Sequence, residues 1–196
     1  NLFRMVEKRI GLFGGSFDPI HLGHLAILES FISSGYIDEL WVLVNPNPPH
    51  KHALDASYSD RLCMVEMATK DINGCLISRI EEDLPTPNYS YKTIDYVIDN
   101  LGYSNVFFCL GSDSIGSFNT WKNYEKILDR VMLLVAQRST DFRLPSYLNL
   151  KAMMVEHELV TVSSTHLRKR LQLGESSGEQ LHISTLEYIS KHNLYR

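Results

Sequence analysis

Gly14-Gly15-Ser16-Phe17-Asp18-Pro19-Ile20-His21-Leu22-Gly23-His24, preceded by the apolar run Ile10-Gly11-Leu12-Phe13, has the form of a strand, a glycine turn and a helix start. Glycine lacks the Cβ that would hold a ligand away, so such a turn brings backbone N–H groups close to phosphate oxygens. Pro19 suits the entry to a helix, where its missing N–H would be unpaired anyway. His21 and His24, three residues apart, share a helix face and can point at the same anion. A Gly-Gly pair alone would be no more than a tight turn. With His-x-Gly-His attached, it reads as a phosphate site.

Outward from this stretch, strand-like and helix-like segments alternate. Residues 8–13 read as a strand and 22–34 as a helix, with Leu25, Ile27, Leu28, Phe31 and Ile32 on its apolar face. Leu40 to Val44 is a second strand, and a helix over 57–70 opens at Ser57 or Ser59. Cys75 to Ile80, Val106 to Leu110, Val131 to Ala136 and a short last strand from Leu159 to Val162 follow. Helices at 90–101, 121–129, 163–173 and 183–191 lie between and after them, and residues 139–150 read as a surface connection. Continuous apolar strands separated by helices predict an α/β fold: a Rossmann-like, doubly wound parallel sheet covered on both faces. At 196 residues the chain reads as one domain over 1–196, with a helical part from about 163 to 196 packing on it. Ligands of such sheets bind beyond the carboxyl ends of the strands. The loops at 14–24, 45–52, 111–114 and 163–168 are therefore the ones to search.

Charge and composition narrow the partners. Nineteen basic residues against 23 acidic ones give a net charge of −4, so no global positive field recruits nucleic acid. Small anions remain allowed where positive groups gather locally. No apolar run approaches the roughly 20 residues that span a bilayer, and no signal-peptide core is seen at the start. Cys63, Cys75 and Cys109 form no CxxC pair and lie in apolar patterns. They read as buried free thiols of a cytoplasmic protein. A homodimer is compatible with such a chain.

Three further constellations carry chemistry. In Asn47-Pro48-Pro49-His50-Lys51, prolines stiffen a loop that can present Lys51 as a point charge to a polyphosphate. In Val162-Ser163-Ser164-Thr165-His166-Leu167-Arg168, a helix N-terminus, hydroxyls and a guanidinium combine into an anion grip. By itself, Ser-Ser-Thr before a helix would be only an N-cap. In Gly111-Ser112-Asp113-Ser114, Asp113 can accept from sugar hydroxyls, and nearby Trp121 can stack on a flat ring or serve only as core packing. Pro87-Asn88-Tyr89-Ser90 opens a helix with exposed hydroxyls and aromatics, a weak signal alone.

The Gly-Gly-Ser-Phe-Asp-Pro-Ile-His-x-Gly-His start and the Ser-Ser-Thr-x-Leu-Arg close resemble the nucleotidyltransferase superfamily that carries the His-x-Gly-His motif. The Pro-Pro-His-Lys loop, Arg61, Tyr89-Ser90, Gly-Ser-Asp-Ser with Trp121, and the final Leu194-Tyr195-Arg196 extend the resemblance across nearly the whole chain. They point to one branch, the bacterial nicotinate mononucleotide adenylyltransferases. Ser90 stands where that branch usually has threonine, and Val162 where isoleucine is common.

The resemblance implies transfer of AMP from ATP to nicotinate mononucleotide, with Mg²⁺ held mainly by the ATP phosphates. His21, His24, Lys51 and Arg168 are the implied catalytic set. Gly14, Gly15, Ser16, Phe17, Gly111, Asp113, Ser164 and Thr165 would join His21, His24 and Arg168 around ATP. Ser16, Phe17, Lys51, Tyr89, Ser90, Asp113 and Trp121 would hold the acceptor. The competing readings are a nucleotidyltransferase of the same fold acting on another acceptor, such as phosphopantetheine, and a nucleotide-binding regulator that has lost catalysis.

Overall fold

The computed structural model describes residues 7–48, 54–137, 141–158, 160–175 and 177–196. Six strands form one sheet: β1 (Ile10–Gly15), β2 (Glu39–Val44), β3 (Cys75–Ser78), β4 (Val106–Gly111), β5 (Met132–Gln137) and β6 (Ala152–Glu156). Every neighbouring pair is parallel, in the order β3-β2-β1-β4-β5-β6. The helices are α1 (Leu22–Ser33), α2 (Tyr58–Thr69), α3 (Ser90–Asp95), α4 (Ser112–Ile115), α5 (Tyr124–Arg130), α6 (Ser164–Gln172) and α7 (Ile183–His192).

Side chains alternate across a strand, so successive apolar residues fill opposite faces. Phe13, Leu40, Val42, Cys109 and Leu134 join α1, α2, α6 and α7 in one core. Leu12, Leu43, Phe108, Leu133 and Val135 join α3 and α5 in the other. With both faces covered, the strands have no reason to alternate polar and apolar residues, which is why they read as continuous apolar runs. The strand order reverses direction at β1 and β4. Chains leaving their carboxyl ends diverge there and open a crevice.

The expected fold class holds, and several boundaries move. β1 runs through both glycines, with Gly14 opposite Leu43 and Gly15 opposite Val44, so the turn begins at Ser16. Pro19 is not at the first helical position: it precedes the N-cap, His21, by two residues, after a cis peptide bond. Strand β3 stops at Ser78 and Ile80–Glu82 turn as a 3₁₀ helix. The helix expected at 90–101 is α3 continued by a π-helical turn, Tyr96–Asn100, and that expected from 121 starts at Tyr124. The largest correction concerns the last strand. It is Ala152–Glu156, paired with β5, while residues 160–162 lie outside the sheet. Their β-branched content suggested a strand, but burial against a neighbouring strand decides, and Ala-Met-Met-Val has that position.

Ser57, not Ser59, caps α2, its Oγ accepting the Asp60 N–H at 3.1 Å. Cys109 is buried as expected, whereas Cys63 and Cys75 are only half-buried. Burial nevertheless pushes the Cys75 thiol up to about 11. No described helix is long and apolar enough to cross a membrane.

Candidate active site

A cavity of about 360 Å³ opens where the crevice rule places it. Its floor is Gly14, Gly15 and Ser16 at the end of β1, with His24 from α1 beside them. Leu110, Gly111, Asp113 and Ser114, from β4 and α4, form the adjoining wall, and Trp121 and Lys122 lie beyond them. Asn88, Tyr89, Ser90 and Thr93 around the start of α3 also line it, with Glu81 from the loop after β3 and Asn45 and Pro48 after β2. Nine of the expected residues thus meet in one cavity: Gly14, Gly15, Ser16, His24, Tyr89, Ser90, Gly111, Asp113 and Trp121.

The two histidines do different things. His21 is buried and caps α1, its Nδ1 accepting the His24 N–H at 3.2 Å. His24 returns the contact, its Nδ1 accepting the His21 N–H at 3.3 Å. A nitrogen that accepts an N–H carries no proton, so this reciprocal cap puts the proton of each ring on Nε2. The rings stack with centroids 3.7 Å apart. Gly23 permits this: a Cβ there would sit 3.1 Å from the His21 ring and 3.2 Å from the Val160 carbonyl. Of the pair, only His24 lines the cavity.

Amides at the start of α1 are largely spent within the protein. Leu22 donates to the Gln180 carbonyl at 3.0 Å and His24 to His21. At this end the cavity is therefore lined by the His24 side chain and by Gly14, Gly15 and Ser16, not by the helix terminus as a whole. Phe17 takes a left-handed backbone, φ 49°, and packs its ring on Gly15, where a Cβ would come within 2.9 Å of it. It is buried, with its ring 5.0 Å from that of His24, and does not line the cavity.

Behind the floor lies Arg61, 1% exposed. Its Nη1 donates to the Ser16 carbonyl at 2.6 Å and the Asn45 carbonyl at 3.0 Å, tying together the chains that leave β1 and β2. Desolvation pulls this guanidinium below its ordinary value, and the Asp18 charge opposes the shift.

The N-terminus of α6 docks behind the same turn. Ser164 Oγ donates to the Pro19 carbonyl at 3.0 Å, and Arg168 Nη1 to the Asp18 carbonyl at 2.8 Å. Arg168 also pairs with Asp55 at 2.5 Å, and its Nη2 reaches the Thr165 hydroxyl at 3.4 Å. Ser164, Thr165 and Arg168 do not line the cavity. Lys51 lies outside the described residues.

Several lining residues were not among those expected to bind: Asn45, Glu81, Asn88, Thr93, Ser114 and Lys122. Glu81 accepts the Thr93 hydroxyl at 2.7 Å, and burial raises its carboxyl above the usual range. Asn88 Nδ2 donates to the Glu81 carbonyl at 3.0 Å and so fastens the start of α3 to the loop after β3. That loop follows a strand like the others, so the carboxyl-edge rule itself would have pointed to it.

Comparison with known proteins agrees with this fold. The cytidylyltransferase-like family model matches residues 12–170. A probable nicotinate-nucleotide adenylyltransferase of Christiangramia forsetii is 31% identical, over 97% of this chain and 100% of its own. The protein of the same name from Exiguobacterium sibiricum is 33% identical, over 95% and 98%. Among solved structures, the Plasmodium falciparum nicotinic acid mononucleotide adenylyltransferase complexed with NaAD superposes with a TM-score of 0.80, at 23% identity over 96% of this chain and 97% of that one. This chain belongs to the cytidylyltransferase-like family, within its nicotinate-nucleotide adenylyltransferase branch.

Proposed function

We propose that the protein transfers the adenylyl group of ATP to nicotinate mononucleotide, forming nicotinate adenine dinucleotide and pyrophosphate in NAD biosynthesis. One observation carries this reading beyond family membership. The glycine floor with His24, the Gly111–Ser114 wall, Trp121 and the Tyr89–Ser90 segment face a single cavity, so two nucleotides can meet there head to head.

An oxygen of the acceptor's 5′-phosphate attacks the α-phosphorus of ATP, and the bond from that phosphorus to the β-phosphate bridge breaks. The attacking phosphate is already ionised at neutral pH, so no general base is required. Catalysis then rests on alignment and on neutralising charge. His24 Nε2–H would donate to the phosphate on which charge develops. His21 holds that ring through the reciprocal cap and the stack. Gly14, Gly15, Ser16 and Phe17 would bring backbone close to the phosphates, and Gly111 and Asp113 would hold ribose. Tyr89, Ser90 and Trp121 would frame the pyridine ring.

Lys51 and Arg168 would grip the polyphosphate, Arg168 by exchanging Asp55 for phosphate oxygens, with Ser164 and Thr165 beside it. Among the described residues no three His, Cys, Asp or Glu side chains form a metal-binding cluster. We take ATP to enter as its Mg²⁺ complex, with the ion on the phosphates. Three free thiols suit a reducing compartment, and we place the reaction in the cytoplasm.

The test is pyrophosphate release from ATP and Mg²⁺ with nicotinate mononucleotide, nicotinamide mononucleotide and phosphopantetheine offered in parallel. Strong preference for the nicotinate nucleotide is expected. Turnover with phosphopantetheine alone would overturn the substrate, and ATP binding without release would favour a silent regulator.

Trp121 lies half-buried against Phe118, centroids 5.5 Å apart, with its other surface on the cavity. Trp121→Ala should raise KM for the acceptor roughly tenfold through lost stacking, with KM for ATP within about twofold. Equal changes in both constants would mean that Trp121 only supports the wall.

A further inference from the structure

The turn that follows the glycine floor is held from behind at a carboxylate outside the cavity. Asp18 is 1% exposed. Its Oδ2 accepts the Asp55 N–H at 2.9 Å, and its Oδ1 accepts the Ala56 N–H at 3.1 Å and the Tyr195 hydroxyl at 2.8 Å. Two stretches of chain distant in sequence, Asp55-Ala56 and Tyr195, therefore converge on one side chain two residues after Ser16. Tyr195 is the one side-chain donor to that carboxylate among the described residues.

The tyrosine is placed at some cost. It follows α7, is 5% exposed, and has φ 58°, in the left-handed region that bulky residues avoid. Such a conformation persists only where its surroundings over-determine it. Here those surroundings include the apolar core shared with Phe17, Ile20 and Leu167. Burial, then the neighbouring Asp18 charge, raise the phenol above the ordinary tyrosine range, so it remains a donor.

Resting on the adenylyl-transfer reading above, we propose that Tyr195 is a positioning residue for that reaction: through Asp18, its hydroxyl sets where the Ser16–Phe17 backbone stands against the cavity. Without the phenol, Asp18 keeps both N–H partners, so the turn stays folded while Oδ1 loses its lateral restraint. A displacement of a fraction of an ångström barely alters ground-state binding. It misaligns the reacting phosphorus with its donors, and that cost falls on kcat.

The experiment compares the parent with Tyr195→Phe, Asp18→Asn and the double variant. For Tyr195→Phe, kcat should fall about tenfold, with both KM values within about twofold and the melting temperature within a few degrees. The double variant should be no slower than Asp18→Asn alone, because the tyrosine acts through that carboxylate. Amide exchange at Asp55 and Ala56 should quicken in Tyr195→Phe while β1 and β4 keep their protection.

A kcat within twofold of the parent, or losses that multiply in the double variant, overturns the proposal. A parent that releases no pyrophosphate with any acceptor would instead refute the adenylyl-transfer reading. Amide exchange then decides for Tyr195: faster exchange at Asp55 and Ala56 supports the positioning role, and unchanged exchange overturns it.

Discussion

Replacing His24 with alanine should lower kcat by about 10²–10³, the usual consequence of removing one donor aimed at developing charge. The fold should survive. His24 also caps His21 through Nδ1, and losing a cap costs about 1 kcal/mol. For a domain of this size that is a melting shift of roughly 2–4 °C, far too small to explain such a loss in turnover.

Two isosteric variants separate the ring's two jobs. The asparagine Oδ1 lies near the position of the imidazole Nδ1, so His24→Asn can keep the cap while lacking the distal donor. The glutamine Nε2 lies near the imidazole Nε2, so His24→Gln can keep the donor while weakening the cap. The expected result is a folded, nearly inactive asparagine variant and a glutamine variant that recovers part of kcat. Alanine and asparagine variants within tenfold of the parent would remove His24 from the chemistry.

The second large effect is on stability. Arg61→Met retains most of the apolar stem and removes the donors to the Ser16 and Asn45 carbonyls. Each carbonyl left buried without a partner costs about 1–3 kcal/mol. Part of that is offset because a charge need no longer be buried, and Arg61 Nε has no hydrogen-bond partner among the described residues in any case. The expected net loss is about 2–5 kcal/mol, or roughly 5–15 °C in melting temperature. Turnover should fall as well, since both carbonyls belong to residues that line the cavity. Arg61→Lys should recover little, its ammonium ending one bond short of Nη1. A melting shift under about 2 °C in Arg61→Met would show that the two loops hold each other without it.

The sheet was legible because its physics is local. Strands buried on both faces must be apolar throughout, and Ile10–Phe13, Leu40–Val44 and Val106–Leu110 are. β6 was missed because Ala152-Met153-Met154-Val155 lacks the β-branched look of residues 160–162, and only its neighbour β5 makes it a strand. Glu81 and Asn88 were missed because their chemistry arises from packing: a buried carboxyl on Thr93 and an amide on a carbonyl have no spacing signature.

By itself the sequence determined the doubly wound sheet and the residue types at its carboxyl edge. Apolar runs, glycines and paired histidines impose their consequences over a few neighbouring residues. Tertiary structure alone decided that His21 caps while His24 faces the cavity, since burial and a ring stack separate two residues that a helical wheel makes equivalent. It also decided that Arg61, Arg168 and Tyr195 meet behind one turn. Hydrogen bonds between residues up to 177 positions apart are chosen by how the layers close over one another, and no local pattern of the chain encodes that.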